Sequence, residues 1–258
     1  MLFDSHCHLD APEFDADRGD VLARARAANV TDQLVPAVEY AAWPKLAALC
    51  AAEPGLHAAY GLHPMYLDRH SDAHLDALPD WLQQHGAVAV GECGLDFFVE
   101  GLDPDRQRQV FRRQLEIARD LDLPVILHAR RAVEETIATI RSVGGLRGVV
   151  HSWPGSEEQA RQLYALGFLL GIGGPVTFER ANRLRKLVVR MPIEHLLLET
   201  DAPDQPDASR RGLRNEPAFL RDVLREVANL RGEPEDRIAD ATTANARRLF
   251  GLDRPLAG

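Results

Sequence analysis

Cysteine is nearly absent: the 258-residue chain has three, Cys7, Cys50 and Cys93. An odd number with no CxxC pair suggests neither a disulfide framework nor a cysteine-rich zinc site, and it fits a reducing compartment. Lysine is scarcer still, since of 30 basic residues only Lys45 and Lys186 are not arginine; we read this first as genome composition bias. Basic charge is in deficit as well. A net charge of -9 argues against a protein held to nucleic acid by a general basic coat, although a local arginine patch or bound cations would still receive phosphates. No stretch approaches the roughly 18 apolar residues of a membrane helix, and no basic segment followed by an apolar one opens the chain. The expectation is a cytoplasmic protein without a membrane partner. Linkers rich in Pro, Gly or Ser, low-complexity tracts and internal repeats are also missing, so a single domain over 1–258, and a monomer, are expected.

What is present is ordinary globular composition, 45% hydrophobic and 27% charged, arranged in a regular alternation. Short apolar runs recur at 2–6, 33–38, 57–63, 87–92, 124–128, 148–151, 168–174 and 195–200. Amphipathic helical patterns separate them. Phe111, Leu115, Ala118 and Leu121 share one helix face, with Asp103 as the expected N-cap and Pro104 in the first turn. Ser156 and Gln159 form a capping box for another helix, which Gly167 ends. Eight buried runs each followed by a helix suit a closed (β/α)8 barrel, though a doubly wound open sheet has a similar count. The stretch 201–217 is the one long irregular segment, stiffened by Pro203, Pro206 and Pro217, and loops of this length are usually functional or disordered.

Polar residues with metal-binding side chains fall where these runs end. The chain opens MLFDSHCHLD, and on a strand His6 and His8 share a face while Cys7 points away. That makes a two-toothed clamp. His63 follows the third run, Glu92 the fourth, His128 the fifth, His151 the sixth and Asp201 the eighth; in a barrel all those ends meet at one face. The remaining histidines are set aside: His70, His74 and His85 as solvated, His57 and His195 because they precede their strands. Clustered neutral imidazoles gain little alone, and carboxylates among them would be perturbed unless a divalent cation compensates them. Even four of these imidazoles with the two carboxylates exceed one tetrahedral ion. Two ions sharing a carboxylate fit better, as in enzymes that clamp the attacking and leaving oxygens of a phosphoester.

The segments DSHCHLD, GLHP, GECGLDFF, LPVILHARRA, VVHSWPGS, GGPVTF, LLLETDAPDQP and RNEP resemble, in order, the motifs of the TatD family of metal-dependent hydrolases and deoxyribonucleases. The part from HARRA to ETDAPDQP is similar to its YjjV-like branch. The resemblance implies a TIM (β/α)8 barrel of the amidohydrolase type with two divalent metal ions, Zn, Mn or Mg. Mapped onto matching positions, His6, His8, Glu92 and Asp201 would hold one ion, and Glu92 would bridge to a second held by His128 and His151. Glu92 and Asp201 would be catalytic, Asp201 accepting a proton from a metal-activated water. Two departures stand out: HSW replaces the family's HCF, and Cys93 replaces an aliphatic residue after Glu92; neither removes a ligand.

Substrate contacts are expected at His63, Arg130, Trp153 and Arg214. Trp153 either stacks a base or fills the barrel rim. Arg130 and Arg131, with Arg210, Arg211 and Arg214 in the long loop, offer phosphate forks; a solvated charge is the alternative for Arg131, and loop anchoring for Arg214. Gly173 and Gly174 admit either a phosphate or a tight turn. The activity implied is a 3′ exonuclease on single-stranded DNA. Two alternatives stay open: a deacylase or small ester or amide hydrolase with the same two-metal site, and a non-catalytic binding module that keeps the metal for stability.

Overall fold

Apolar runs too short for a helix and closed by helix starts leave the chain little but strict alternation of strand and helix. The computed structural model describes residues 1–253. The strands are β1 Leu2–Asp4, β2 Val30–Pro36, β3 Leu56–Tyr60, β4 Ala89–Asp96, β5 Val125–Arg130, β6 Gly148–Val150, β7 Phe168–Ile172 and β8 Leu196–Leu198. They are neighbours in that order in one eight-stranded sheet, with parallel pairing. A doubly wound sheet reverses its strand order at a switch point; a barrel runs in sequence. The fold is therefore the expected TIM (β/α)8 barrel.

The chain divides into two compact units, Met1–Val35 with the chain from Leu169 onward, and Pro36–Phe168. In the first, Leu2 is in register with Val30 and Leu170 with Leu196. The Leu198 carbonyl accepts both the amide and the hydroxyl of Ser5, each at 3.0 Å, so the last strand meets the first, as closure requires. Helix Glu235–Phe250 packs on β1 and β8, and Phe250 stacks on Phe3 at 6.0 Å between centroids.

In the second unit β4 lies between β3 and β5, with β6 beyond. Val90, Val125, Ile126, Leu127 and Val149 are fully buried, the near-continuous apolar pattern of parallel strands covered on both faces. Helix Pro104–Asp120 packs on β4 with Phe111, Leu115 and Ala118 buried. Its N-cap is Asp103, whose carboxylate accepts the amides of Asp105 at 2.9 Å and Arg106 at 3.3 Å. Both bonds of the Ser156–Gln159 capping box form, at 3.0 and 3.2 Å.

Three features differ from expectation. Strand β4 runs on to Asp96 because Gly91 and Gly94, at φ 152° and 150°, bring it hard against β5: a Cβ there would stand 2.7 Å from the Ile126 carbonyl and 2.0 Å from that of His128. The segment 201–217 is partly ordered into short 3-10 turns, Ala208–Arg210 and Pro217–Phe219. His70 is buried, 9% exposed, not solvated, because its Nε2 binds the His63 carbonyl at 2.8 Å. Among the described residues no helix is long and apolar enough to cross a membrane.

Candidate metal centre

Past the end of β1 the chain keeps strand-like bonding on both sides. The Cys7 amide donates to Leu34 O at 3.0 Å, the Asp201 amide to His6 O at 2.8 Å and the His8 amide to Ala202 O at 2.7 Å. This alternation turns His6 and His8 to one side and buries Cys7 on the other. The two Nε2 atoms stand 3.2 Å apart, and Asp201 Oδ1 lies 3.6 Å from each. Asp201 has φ 57°, a left-handed conformation that aspartate adopts more readily than most residues. Gln205 Nε2 donates to its other oxygen.

Beneath this group Asp4 is fully buried and accepts the Thr200 amide at 2.9 Å and hydroxyl at 2.6 Å. Burial pushes its carboxyl up to about 8 against those hydrogen bonds. Glu199, also at 0% exposure, is seated over Gly171, where a Cβ would stand 1.9 Å from its Oε2. It offers a donor atom within 4.8 Å of one from His6.

The second unit has a group of its own. Glu92 Oε1 lies 2.9 Å from His151 Nε2 and 3.2 Å from His128 Nδ1, and the two ring nitrogens are 3.4 Å apart. The far nitrogen of His128, Nε2, is 2.9 Å from Asp96 Oδ2. Burial opposes ionisation of Asp96, but bonds from His128 and from the amides of Phe98 and Val99 outweigh it and hold the carboxyl at about 2. An ionised carboxylate only accepts, so the His128 proton sits on Nε2 and Nδ1 is left to face Glu92 and His151. Burial also opposes protonation of His128, yet the carboxylates of Asp96 and Glu92 raise its pKa on balance.

His63 is held the opposite way. Its Nδ1 accepts the Met65 amide at 3.1 Å, so the neutral ring carries its proton on Nε2, 3.0 Å from Glu92 Oε1. Burial lowers its pKa to about 4 despite the nearby carboxylate of Glu92, which keeps it neutral. His63 therefore donates to Glu92 through the atom that a metal would need.

Both groups fit a divalent ion. Bonds of 2.0–2.2 Å at tetrahedral angles put donors about 3.3–3.6 Å apart, and octahedral bonds near 2.1 Å about 3.0 Å apart. The triads His6, His8, Asp201 and Glu92, His128, His151 have edges of 2.9–3.6 Å. Each combines two imidazoles with one carboxylate, so each offers a single negative charge to a dication.

The other expected residues have different surroundings. Trp153 is 4% exposed, its ring so close to Gly155 that a Cβ there would stand 2.2 Å away; it fills space at the end of β6. Arg214 grips Asp17 through both terminal nitrogens, at 2.8 and 2.7 Å, and reaches Glu13 O at 2.7 Å and Glu216 at 3.1 Å, so it anchors the long loop. Arg210 pairs with Asp207 and Asp222. A Cβ on Gly174 would stand 2.2 Å from Gln205 O, so the turn is filled by the loop's own backbone. Arg130 and Arg131 lie exposed beside Phe98. Sequence reasoning does not single out Asp96, Glu199 or the two β4 glycines. For Asp96 a signal exists: it lies four residues beyond Glu92 on a strand, an even spacing.

A (β/α)8 barrel with imidazole and carboxylate clusters at its strand ends defines the metal-dependent hydrolase class. The family model described as TatD related DNase matches residues 3–251. An uncharacterized metal-dependent hydrolase of Escherichia coli K12, YjjV, is 40% identical over 97% of this chain and 98% of its own. The crystal structure of that TatD homolog superposes with a TM-score of 0.93, covering 97% of this chain and 98% of the other. A protein of Cronobacter sakazakii named 3′-5′ ssDNA/RNA exonuclease TatD is 37% identical over 96% of this chain and 97% of its own. The chain belongs to the TatD-related DNase family, and it is a hydrolytic enzyme of the metal-dependent kind.

Proposed function

We propose that this enzyme is a divalent-metal-dependent deoxyribonuclease that removes nucleotides from the 3′ end of single-stranded DNA. The observation that carries the reading is the pair of two-imidazole, one-carboxylate triads, each with edges that fit a single dication. Two ions there, Zn, Mn or Mg, would lower the pKa of a water and offset the charge of a phosphodiester. Family membership supports Glu92 as a metal-binding carboxylate, and the activity for which the exonuclease relatives are named supports a nucleic-acid strand as substrate.

Asp201 is assigned the proton of the attacking water, because its carboxylate stands beside the nitrogens of His6 and His8 that would hold the first ion. His63, fixed as a donor to Glu92, orients that carboxylate. Asp96 sets the tautomer of His128. Within the same proposal the chain acts as one domain, a monomer in the cytoplasm with no membrane partner.

The test is an activity screen of metal-stripped protein with each ion added back, on single strands labelled at either end. Loss of the 3′ label first, abolished in Glu92→Ala, is the expected result. Intact DNA with cleavage of a carboxylic ester would replace the nuclease reading by a deacylase one.

A further inference from the structure

Phe98, in the loop after β4, exposes 44% of its surface. Single apolar residues at a surface are ordinary. Its neighbours are not. The Arg130 guanidinium carbon stands 3.7 Å from the ring centroid and that of Arg131 4.6 Å. One such contact arises about every 70–80 residues, but two cations on one ring repel each other, and a nearby carboxylate usually relieves them. Among the described residues neither guanidinium has an ion pair or a hydrogen bond. Arginines of the surrounding helices are paired by contrast: Arg108 with Asp105 and Glu135, Arg161 with Glu157. In a chain of net charge -9 this pair is a local excess of positive charge with its donors open to solvent.

The ring and the two cations are also tied to the donor triad of their own unit. Arg130 ends β5 two residues beyond His128, about 6.6 Å along the strand, and its carbonyl accepts the Phe97 amide at 2.9 Å. Asp96 Oδ1 accepts the amides of Phe98 at 2.9 Å and Val99 at 3.1 Å, while Oδ2 binds His128. One carboxylate thus fixes both the loop and the ligand. A flat apolar face beside two free guanidinium forks matches one chemical unit well, a nucleobase with its phosphate.

We infer that Phe98, Arg130 and Arg131 form a nucleotide subsite of the enzyme, the ring stacking on a base and the guanidiniums holding a phosphate beside the bond that is cut. Paired bases inside a duplex do not offer a free face, so this subsite selects single strands. The inference rests on the nuclease reading for the identity of the substrate.

The experiment compares the metal-loaded enzyme with Phe98→Ala, Phe98→Trp and the double variant Arg130→Gln/Arg131→Gln, on an oligothymidylate and on an abasic strand with the same phosphates. Melting curves confirm that each variant is folded. Phe98→Ala should raise KM for the oligothymidylate about 5- to 100-fold with little change in kcat. Phe98→Trp should restore it, and the abasic strand should not register the loss of the ring. The double variant should weaken both strands and lower the slope of log KM against log salt by about 0.7 for each phosphate that the arginines no longer hold. An enzyme that cuts oligothymidylate with KM and salt slope unchanged in these variants overturns the subsite and leaves the nuclease reading standing. An enzyme that cuts no oligonucleotide fails the nuclease reading instead; anisotropy of the labelled strand then decides the subsite, which stands if binding falls in Phe98→Ala and falls with the reading if it does not.

Discussion

The two donor triads have the same composition but are supported differently. His6, His8 and Asp201 come from the two ends of the chain, and the group is partly open, with 17% of the His8 side chain and 11% of that of Asp201 exposed. Its carboxylate accepts the side-chain amide of Gln205 in the long loop. Glu92, His128 and His151 rise from three consecutive strands with side-chain exposures of 2%, 15% and 5%, and both flanks are braced: His63 donates to Glu92 and Asp96 accepts from His128. Preorganised ligands with a satisfied outer hydrogen bond hold a metal more firmly. On the proposed reading the labour divides: the braced second triad would hold its ion more firmly, and Asp201 of the first would handle the proton.

Asp201→Asn should have the largest effect. It keeps the oxygen position but removes the base, so kcat should fall about 10²- to 10⁴-fold while the fold and the ion of the second triad remain; turnover and metal content measured together check it. Unchanged turnover would take Asp201 out of the chemistry. Next comes metal removal. At about 100 times Kd an ion adds about 2.7 kcal/mol to stability, so chelation should lower the melting temperature of the wild type more than that of either His8→Ala or His128→Ala, each of which has already lost one site. Equal shifts in all three would mean that neither histidine holds an ion.

Asp96→Asn is a finer probe, since it leaves every ligand in place. It should weaken ion binding at the second triad about 10- to 100-fold and leave the first alone, as calorimetric titration would show. The smallest effect belongs to Arg214→Gln. Hydrogen bonds from Arg214 lower the pKa of Asp17; in Glu216, burial opposes ionisation, but bonds from Arg24 and Arg214 outweigh it. A lowered folded pKa contributes stability that is complete above the unfolded value near 4 and is lost as pH falls through the folded one. The variant should therefore melt only about a degree or two below wild type at pH 7, and the gap should close on acidification through pH 4. A gap that widened instead would mean the loop is held by something other than this pair.

Much of this was legible before folding. The periods of the apolar runs located all eight strands, and the capping signals at Asp103 and Ser156 placed two helix starts, because these depend on neighbours in the chain. The six donors were legible since each follows an apolar run. Asp96 was not, because its role depends on which nitrogen of His128 it meets across β4 and β5. Nor could sequence choose between the two readings of Trp153 or Arg214: a tryptophan after a strand and an arginine in a loop look alike whether they face a ligand or the protein.

Local order along the chain was enough to give eight strands alternating with helices and six of the candidate metal donors, since both follow from periodicity and side-chain chemistry over short distances; that the sheet is a barrel and not doubly wound followed from the strand order. The orientation of each imidazole, the buried brace behind His128 and the unpaired arginines around Phe98 were decided only once the strands packed. These depend on distances between residues far apart in sequence, and such distances exist only after the backbone has closed on itself.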